Sequence, residues 1–324
     1  MNNNDKSNYT KRGEFSRQFW NKLETSPWKD IIEYASKVEN GLDVQLRGGY
    51  INIYYNGGNI LRIHPQTKFF DEFYFYTDCK KNDRTTRKTI ILEEVKKGNE
   101  EAKNIVDGLI KQKESLLENI PNKYEKYFDK AKKVIDNWLK KQNDELGITH
   151  YEKKTQQAIS LHNKEFSGDN DLVVIDVEFA ISQKSKYLKE KRNPRPDIIA
   201  IDKKGQIHIM ELKYGLKATE GKAGIKKHLK DFECILKTLK GSGSKDFLED
   251  MSLLIESKKK LKLIDSNCKV DKNLESPVFD LIIKGSEKDY TTIKNEYKTE
   301  ISNNRISNII WLDENNDSFK LKLQ

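Results

Sequence analysis

At 324 residues and 35% apolar side chains, the chain is long enough to bury two cores and carries no composition typical of a membrane protein. Sixty basic against 51 acidic residues give a net charge of +9 in a chain that is 34% charged, a balance that favours an anionic partner without requiring one. Cys79, Cys234 and Cys268 are odd in number, far apart and without CxxC spacing, which argues against a disulfide framework or a zinc ribbon and fits reduced thiols.

The polar start, Met1 to Lys6, has no signal-peptide core, and no apolar run approaches the ~20 residues of a membrane span, so a cytoplasmic protein is expected. Residues 1–13 read as a flexible tail. Residues 14–145 read as an N-terminal α+β accessory domain with a helical connector. Ser26-Pro27-Trp28 sets a cap before a first-turn proline, and Ile31, Ile32, Ala35 and Val38 follow at helical spacing until Gly41. Strands are then expected over 42–47, 50–55, 59–63 and 69–76, and Asn56-Gly57 between alternating apolar residues is a strong hairpin signal. The result is a small antiparallel meander.

Arg47, Tyr50, Tyr54, Tyr55 and Arg62 on that meander suit base stacking or phosphate contact, whereas tyrosines on a small sheet are more often half-buried packing. Residues 90–142 read as helices broken at Pro121; they could link domains or pair subunits, and a helical cover for the small sheet is preferred.

Residues 146–324 read as a second domain. A helix is expected over 149–166, with Glu152 and Gln156 one turn apart on one face, followed by a strand over 172–181. A basic connector, Lys184, Lys186, Lys189, Lys191, Arg192 and Arg195, leads into Pro196-Asp197. Helices over 221–239 and 244–263, a strand over 278–283, a helix over 289–301 and strands over 309–312 and 319–323 complete the chain.

Between the connector and the helix at 221 lies the stretch that carries chemistry. Ile198 to Ile201 and Ile207 to Lys213 are apolar runs around Asp202-Lys203-Lys204-Gly205, which reads as an antiparallel hairpin. If the loop is Lys203-Lys204-Gly205, with Gly205 in the left-handed conformation, Asp202 faces Gln206, Ile199 faces Ile209 and Asp197 faces Glu211. Directly opposed residues share a face with Cβ atoms about 4.5–5.5 Å apart, and Lys213 joins that face by the period of two. A two-residue loop would set the two carboxylates on opposite faces, so the chemical reading depends on Gly205.

Two carboxylates held this close resist joint ionisation unless a cation lies between them. Mg²⁺ suits such a site, because it binds one or two carboxylates with phosphate oxygens and water, and an adjacent lysine can orient a water. A solvated surface hairpin is the plainer alternative, but it leaves charges flanking unusually apolar strands unexplained.

Pro196-Asp197, a spacer and Glu211-Leu212-Lys213 resemble the PD-(D/E)xK nuclease superfamily of restriction endonucleases and RecB-like nucleases. The resemblance covers the C-terminal half. It implies an α/β fold with a restriction endonuclease-like αβββαβ core and a mixed sheet, beside the small N-terminal α+β domain. It makes Asp197 and Glu211 the ligands of Mg²⁺ or Mn²⁺, with the Leu212 main-chain carbonyl, and Lys213 the residue that positions the attacking water.

Members often add a further acid, here Glu178 first and Glu152 second, and Asp176 shares the strand parity of Glu178. RecB-like members carry Gln-x-x-x-Tyr on the following helix. His228-x-x-x-Phe232 keeps the spacing and changes both residue types, and His228 is read as surface or packing. The basic connector and Lys222 are the expected nucleic-acid contacts.

The activity implied is metal-dependent hydrolysis of phosphodiester bonds, endonucleolytic and most naturally in DNA, by a homodimer, in restriction-like or anti-phage defence or in DNA repair. The rival class is a nucleic-acid-binding or scaffold module that kept the fold without cleaving.

Overall fold

The computed structural model describes residues 11–65, 97–98, 100, 104, 124–147, 150–179, 195–219, 224–238, 244–271, 273, 277–316 and 318–323. The strand expected over 69–76, the helices expected up to 123, Cys79, connector residues Lys184 to Arg192 and Lys222 lie outside the described residues. The chain divides into two compact units, one of 15–154 and one joining 1–14 to 155–324. Residues 11–13, expected in a flexible tail, and Glu14, expected in the accessory domain, therefore belong with the C-terminal unit, and the division falls at 154 where 145 was expected.

In the N-terminal unit, α1 (Arg17–Leu23) is a helix the sequence reading missed; the Ser16 hydroxyl caps it by accepting from the Phe19 amide at 3.2 Å. It buries Phe19 and Leu23. Helix α2 (Trp28–Ser36) buries Ile31, Ile32 and Ala35, while Val38 falls in a short 3₁₀ turn and is exposed. Strands β1 (Asp43–Leu46), β2 (Ile51–Tyr55) and β3 (Gly58–Ile63) form the expected antiparallel meander. Its turn is Asn56-Gly57, both with positive φ. Helix α3 (Tyr124–Leu146) buries Phe128, Ala131 and Ile135, the 3.6-residue stripe expected of a covering helix.

Helix α4 (Tyr151–His162) carries the chain into the C-terminal unit. There β4 (Leu172–Val177), β5 (Ile198–Asp202), β6 (Ile207–Tyr214), β7 (Val278–Gly285) and β8 (Asn308–Asp313) form one sheet in that spatial order. β4, β5 and β6 are antiparallel neighbours, and β6, β7 and β8 are parallel. Parallel pairing needs crossovers. Helices α5 (Ile225–Thr238) and α6 (Ser244–Lys260) bridge β6 to β7, and α7 (Glu287–Glu296) with α8 (Lys298–Ser302) bridge β7 to β8.

Both faces of this sheet are covered, which explains the near-continuous apolar strands. One face packs Val173, Ile199, Ile209 and Leu281 against Ile225, Leu229 and Phe232 of α5 and Phe247 and Met251 of α6. The other packs Val174, Ala200, Met210 and Ile282 against Ile159 of α4 and Leu321. Each such side chain contributes roughly 1.5–3 kcal/mol by leaving water, so the strands carrying the candidate site are firmly held.

Three expectations are corrected. The helix expected over 289–301 is two helices broken at the buried Tyr297. The strand expected over 319–323 is an extended tail: the Leu321 amide donates to Asn163 Oδ1 at 2.9 Å and the Leu323 amide to Asp171 Oδ2 at 3.0 Å, so its partners are mostly side chains. β4 stops at Val177, because Glu178 has a φ of +50°, which ends extended pairing. Among the described residues, no helix is long and apolar enough to cross a membrane.

Candidate active site

The hairpin has the three-residue loop. Ile198 pairs with Met210, Ile199 with Ile209 and Ile201 with Ile207, so the register carried one residue outward sets Asp197 opposite Glu211. Asp202 closes the turn: its Oδ1 accepts from the Lys204 and Gln206 amides at 2.9 and 2.8 Å. Gly205 has a φ of +90°, and a Cβ there would lie 2.5 Å from the Asp271 amide nitrogen and 2.7 Å from the Lys269 carbonyl oxygen. Only glycine fits that turn and that close backbone approach.

Asp197, Glu211 and Lys213 consequently lie on the face of the sheet covered by α5. Asp197 Oδ2 accepts from the Leu212 amide at 2.9 Å, tying the two strands at the site. Glu211 and Lys213 are each 3% exposed, and Lys213 Nζ donates to Glu211 Oε1 at 2.7 Å. From α5, His228 Nε2 reaches the same oxygen at 3.0 Å. Burial pushes the Glu211 carboxyl up, but the His228 hydrogen bond and the Lys213 charge outweigh it and hold the group below its ordinary range. Glu211 is thus an anion at neutral pH.

A small cleft of about 20 Å³ lies beside Glu211, lined also by Arg195, Pro196, His228, Asp231, Phe232, Ile209 and Phe279. Arg195 pairs with Glu178 at this edge.

The expected additional acids do not join Asp197 and Glu211. Glu178 is turned by its left-handed backbone into the pair with Arg195. Glu152 is exposed in the first turn of α4, in the other unit by chain division. Gln156, one turn later, is the α4 residue that reaches the site, donating its side-chain amide to the Asp197 main-chain carbonyl. A bulge between Val174 and Asp176 sets Asp176 opposite Ile199, on the site face, where Arg12 meets it at 2.8 Å. Sequence reasoning named Gln156 and His228 without giving either a place in the site, and it did not reach Arg12. For His228 the helical spacing from Phe232 was the available signal; for Arg12 there was none.

Among the described residues, no group of three or more His, Cys, Asp or Glu side chains is placed to hold a metal ion. The register nevertheless sets Asp197 opposite Glu211, and the Leu212 main-chain carbonyl follows directly on Glu211, all of them oxygen donors. Such a set suits a hard cation that completes its shell with water and phosphate oxygens.

On the opposite face of β6 lies a second charged cluster. His208 Nδ1 is 2.6 Å from Asp280 Oδ2, Asn308 donates to Asp280 Oδ1 at 2.8 Å, and Asp202 stands 3.8 Å from His208 Nε2. Burial alone would lower the His208 pKa, but Asp202 and Asp280 together push it up to about 9.

Compared with known proteins, the chain matches no family profile, no curated protein and no solved structure.

Proposed function

We propose that the C-terminal unit is a Mg²⁺- or Mn²⁺-dependent nuclease of the PD-(D/E)xK type, with an αβββαβ core, cleaving DNA endonucleolytically. The observation that supports it best is the hairpin register, which sets Asp197 opposite Glu211, the residue that lines the cleft and holds Lys213. Asp197, Glu211 and the Leu212 carbonyl would hold the cation. When bound, it neutralises charge at the phosphate and acidifies a water.

The chain's own residues do the rest. Lys213 has three donor hydrogens and spends one on Glu211, leaving donors to orient a water or a phosphate oxygen. His228 fixes the same carboxylate oxygen from α5, so Glu211 presents one rotamer to the cleft. Gln156 and the Leu212 amide hold Asp197 from two sides. Arg195, at the mouth of the cleft, supplies a cation for the phosphate backbone, and the N-terminal unit recruits substrate, a partner or a second subunit. Homodimerisation and a role in restriction-like or anti-phage defence complete the proposal.

A binding module that no longer cleaves is the second reading, favoured by the want of a third ligand side chain among the described residues. Incubation of plasmid, linear and single-stranded DNA and RNA with Mg²⁺ or Mn²⁺ separates them. Cleavage lost in Asp197→Asn and Lys213→Met supports the nuclease; cleavage absent throughout, or surviving in those variants, removes it.

A further inference from the structure

Residues 11–14 are separated from the site by more than 180 positions yet are bound into the same compact unit. Contacts to α6 and β4 anchor them. Lys11 Nζ pairs with the buried Asp250 at 2.9 Å, and the Gly13 carbonyl accepts from Ser257 Oγ at 2.7 Å. Gly13 passes so close to α6 that a Cβ would lie 2.7 Å from the Leu253 carbonyl oxygen and the Leu254 Cα. Between them Arg12 enters the end of β4.

There the Arg12 guanidinium meets Asp176, which is 1% exposed, at 2.8 Å, donates to the Glu178 carbonyl at 2.8 Å and lies 4.8 Å from the centre of the Phe179 ring. The segment it grips is the irregular one. Glu178 is left-handed, and a non-glycine residue stays there only when its surroundings dictate it. The Glu178 amide in turn donates to the Asp197 carbonyl at 2.8 Å, and the Phe179 amide to the Pro196 carbonyl at 3.2 Å. A continuous path thus runs from Arg12 through Glu178 to the backbone of Asp197.

We propose that Arg12 is a positioning residue for the candidate active site, and that Lys11–Glu14 is an integral strap of the nuclease-like unit which fixes the Glu178 turn and through it Asp197. This rests on the proposed nuclease reading for its activity arm alone. Lysine at position 12 could meet Asp176 but could not also span to the Glu178 carbonyl with a planar fork.

The test uses the full chain with Arg12→Ala, Arg12→Lys and the double variant Arg12→Ala/Asp176→Asn, which removes the buried carboxylate that Arg12→Ala would leave uncompensated. Hydrogen exchange is read at the amides of Glu178 and Leu212, the two that bond Asp197, beside the Mg²⁺ dependence of plasmid cleavage.

In the double variant we expect the melting temperature to recover relative to Arg12→Ala. The two amides should still exchange at least tenfold faster than in the wild type, and the half-saturating Mg²⁺ should stay raised severalfold. Arg12→Lys should fall between. Restoration of both exchange and Mg²⁺ dependence in the double variant would reduce Arg12 to a charge partner and overturn the proposal. If the wild type cleaves nothing, the nuclease reading fails by itself, and the exchange at Glu178 and Leu212 still decides the strap: unchanged rates in all three variants overturn it.

Discussion

Two charged clusters of similar residues sit back to back on β6 in different surroundings. Glu211 and His228 on one face border a cleft, with Lys213 bonded to Glu211, while His208, Asp280 and Asn308 on the other fill the interior beside Met210 and Ala200. Strand period alone separates them, since residues 208 and 211 differ by an odd number. Both faces carry two carboxylates, so buried charge alone does not tell them apart; what distinguishes them is access to a cleft.

The largest expected effect breaks the first face. Lys213→Met should lower plasmid cleavage by about 10²–10⁴-fold, the range for a lost proton-handling group, while gel-shift binding to the same DNA persists. His208→Gln should do the converse. One unit of pKa displacement is worth about 1.4 kcal/mol, so a histidine raised from 6.5 to about 9 contributes on the order of 3 kcal/mol. Because its folded pKa lies above the unfolded one, that contribution is full below pH 6.5 and is lost as pH rises through 9. Denaturant titrations should show wild-type stability falling over that window, a flatter profile in His208→Gln, and unchanged cleavage at pH 7. Glu211 gives the opposite sign: its folded pKa is lowered, so its contribution is present above the unfolded pKa and lost as pH falls through the folded value.

Gly205→Ala tests the register on which the comparison rests. With φ at +90° and backbone atoms of Asp271 and Lys269 in the way, it should cost about 1–3 kcal/mol. Gly168→Ala, with nothing within 4 Å, should be close to neutral in the same melts. Among the site variants the smallest effect expected is His228→Gln, about tenfold in cleavage rate, as for groups that orient a ligating residue.

Much of this could be read from the sequence, and the exceptions share a cause. Gly205 announces its turn locally, so the pairing of Asp197 with Glu211 follows from residues within one hairpin. Alternating apolar strands and the stripe of α5 are equally local signals. Arg12 on Asp176 and Asn163 on the 319–323 segment depend on contacts over 150 residues apart, and neither composition nor period encodes them. The end of β4 was misread because Glu178 takes a left-handed backbone that its residue type does not advertise, held by Arg12 and Arg195 from outside the strand. Tyr297 interrupts a helical pattern because burying its ring matters more there than continuing the helix.

The most direct test of the difference between the faces is Mn²⁺ binding followed by electron paramagnetic resonance on wild type, Asp197→Asn, Glu211→Gln and His208→Gln. One bound ion is expected in the wild type and in His208→Gln, with binding weakened at least tenfold in the other two. Equal binding in all four, or none in the wild type, would contradict it.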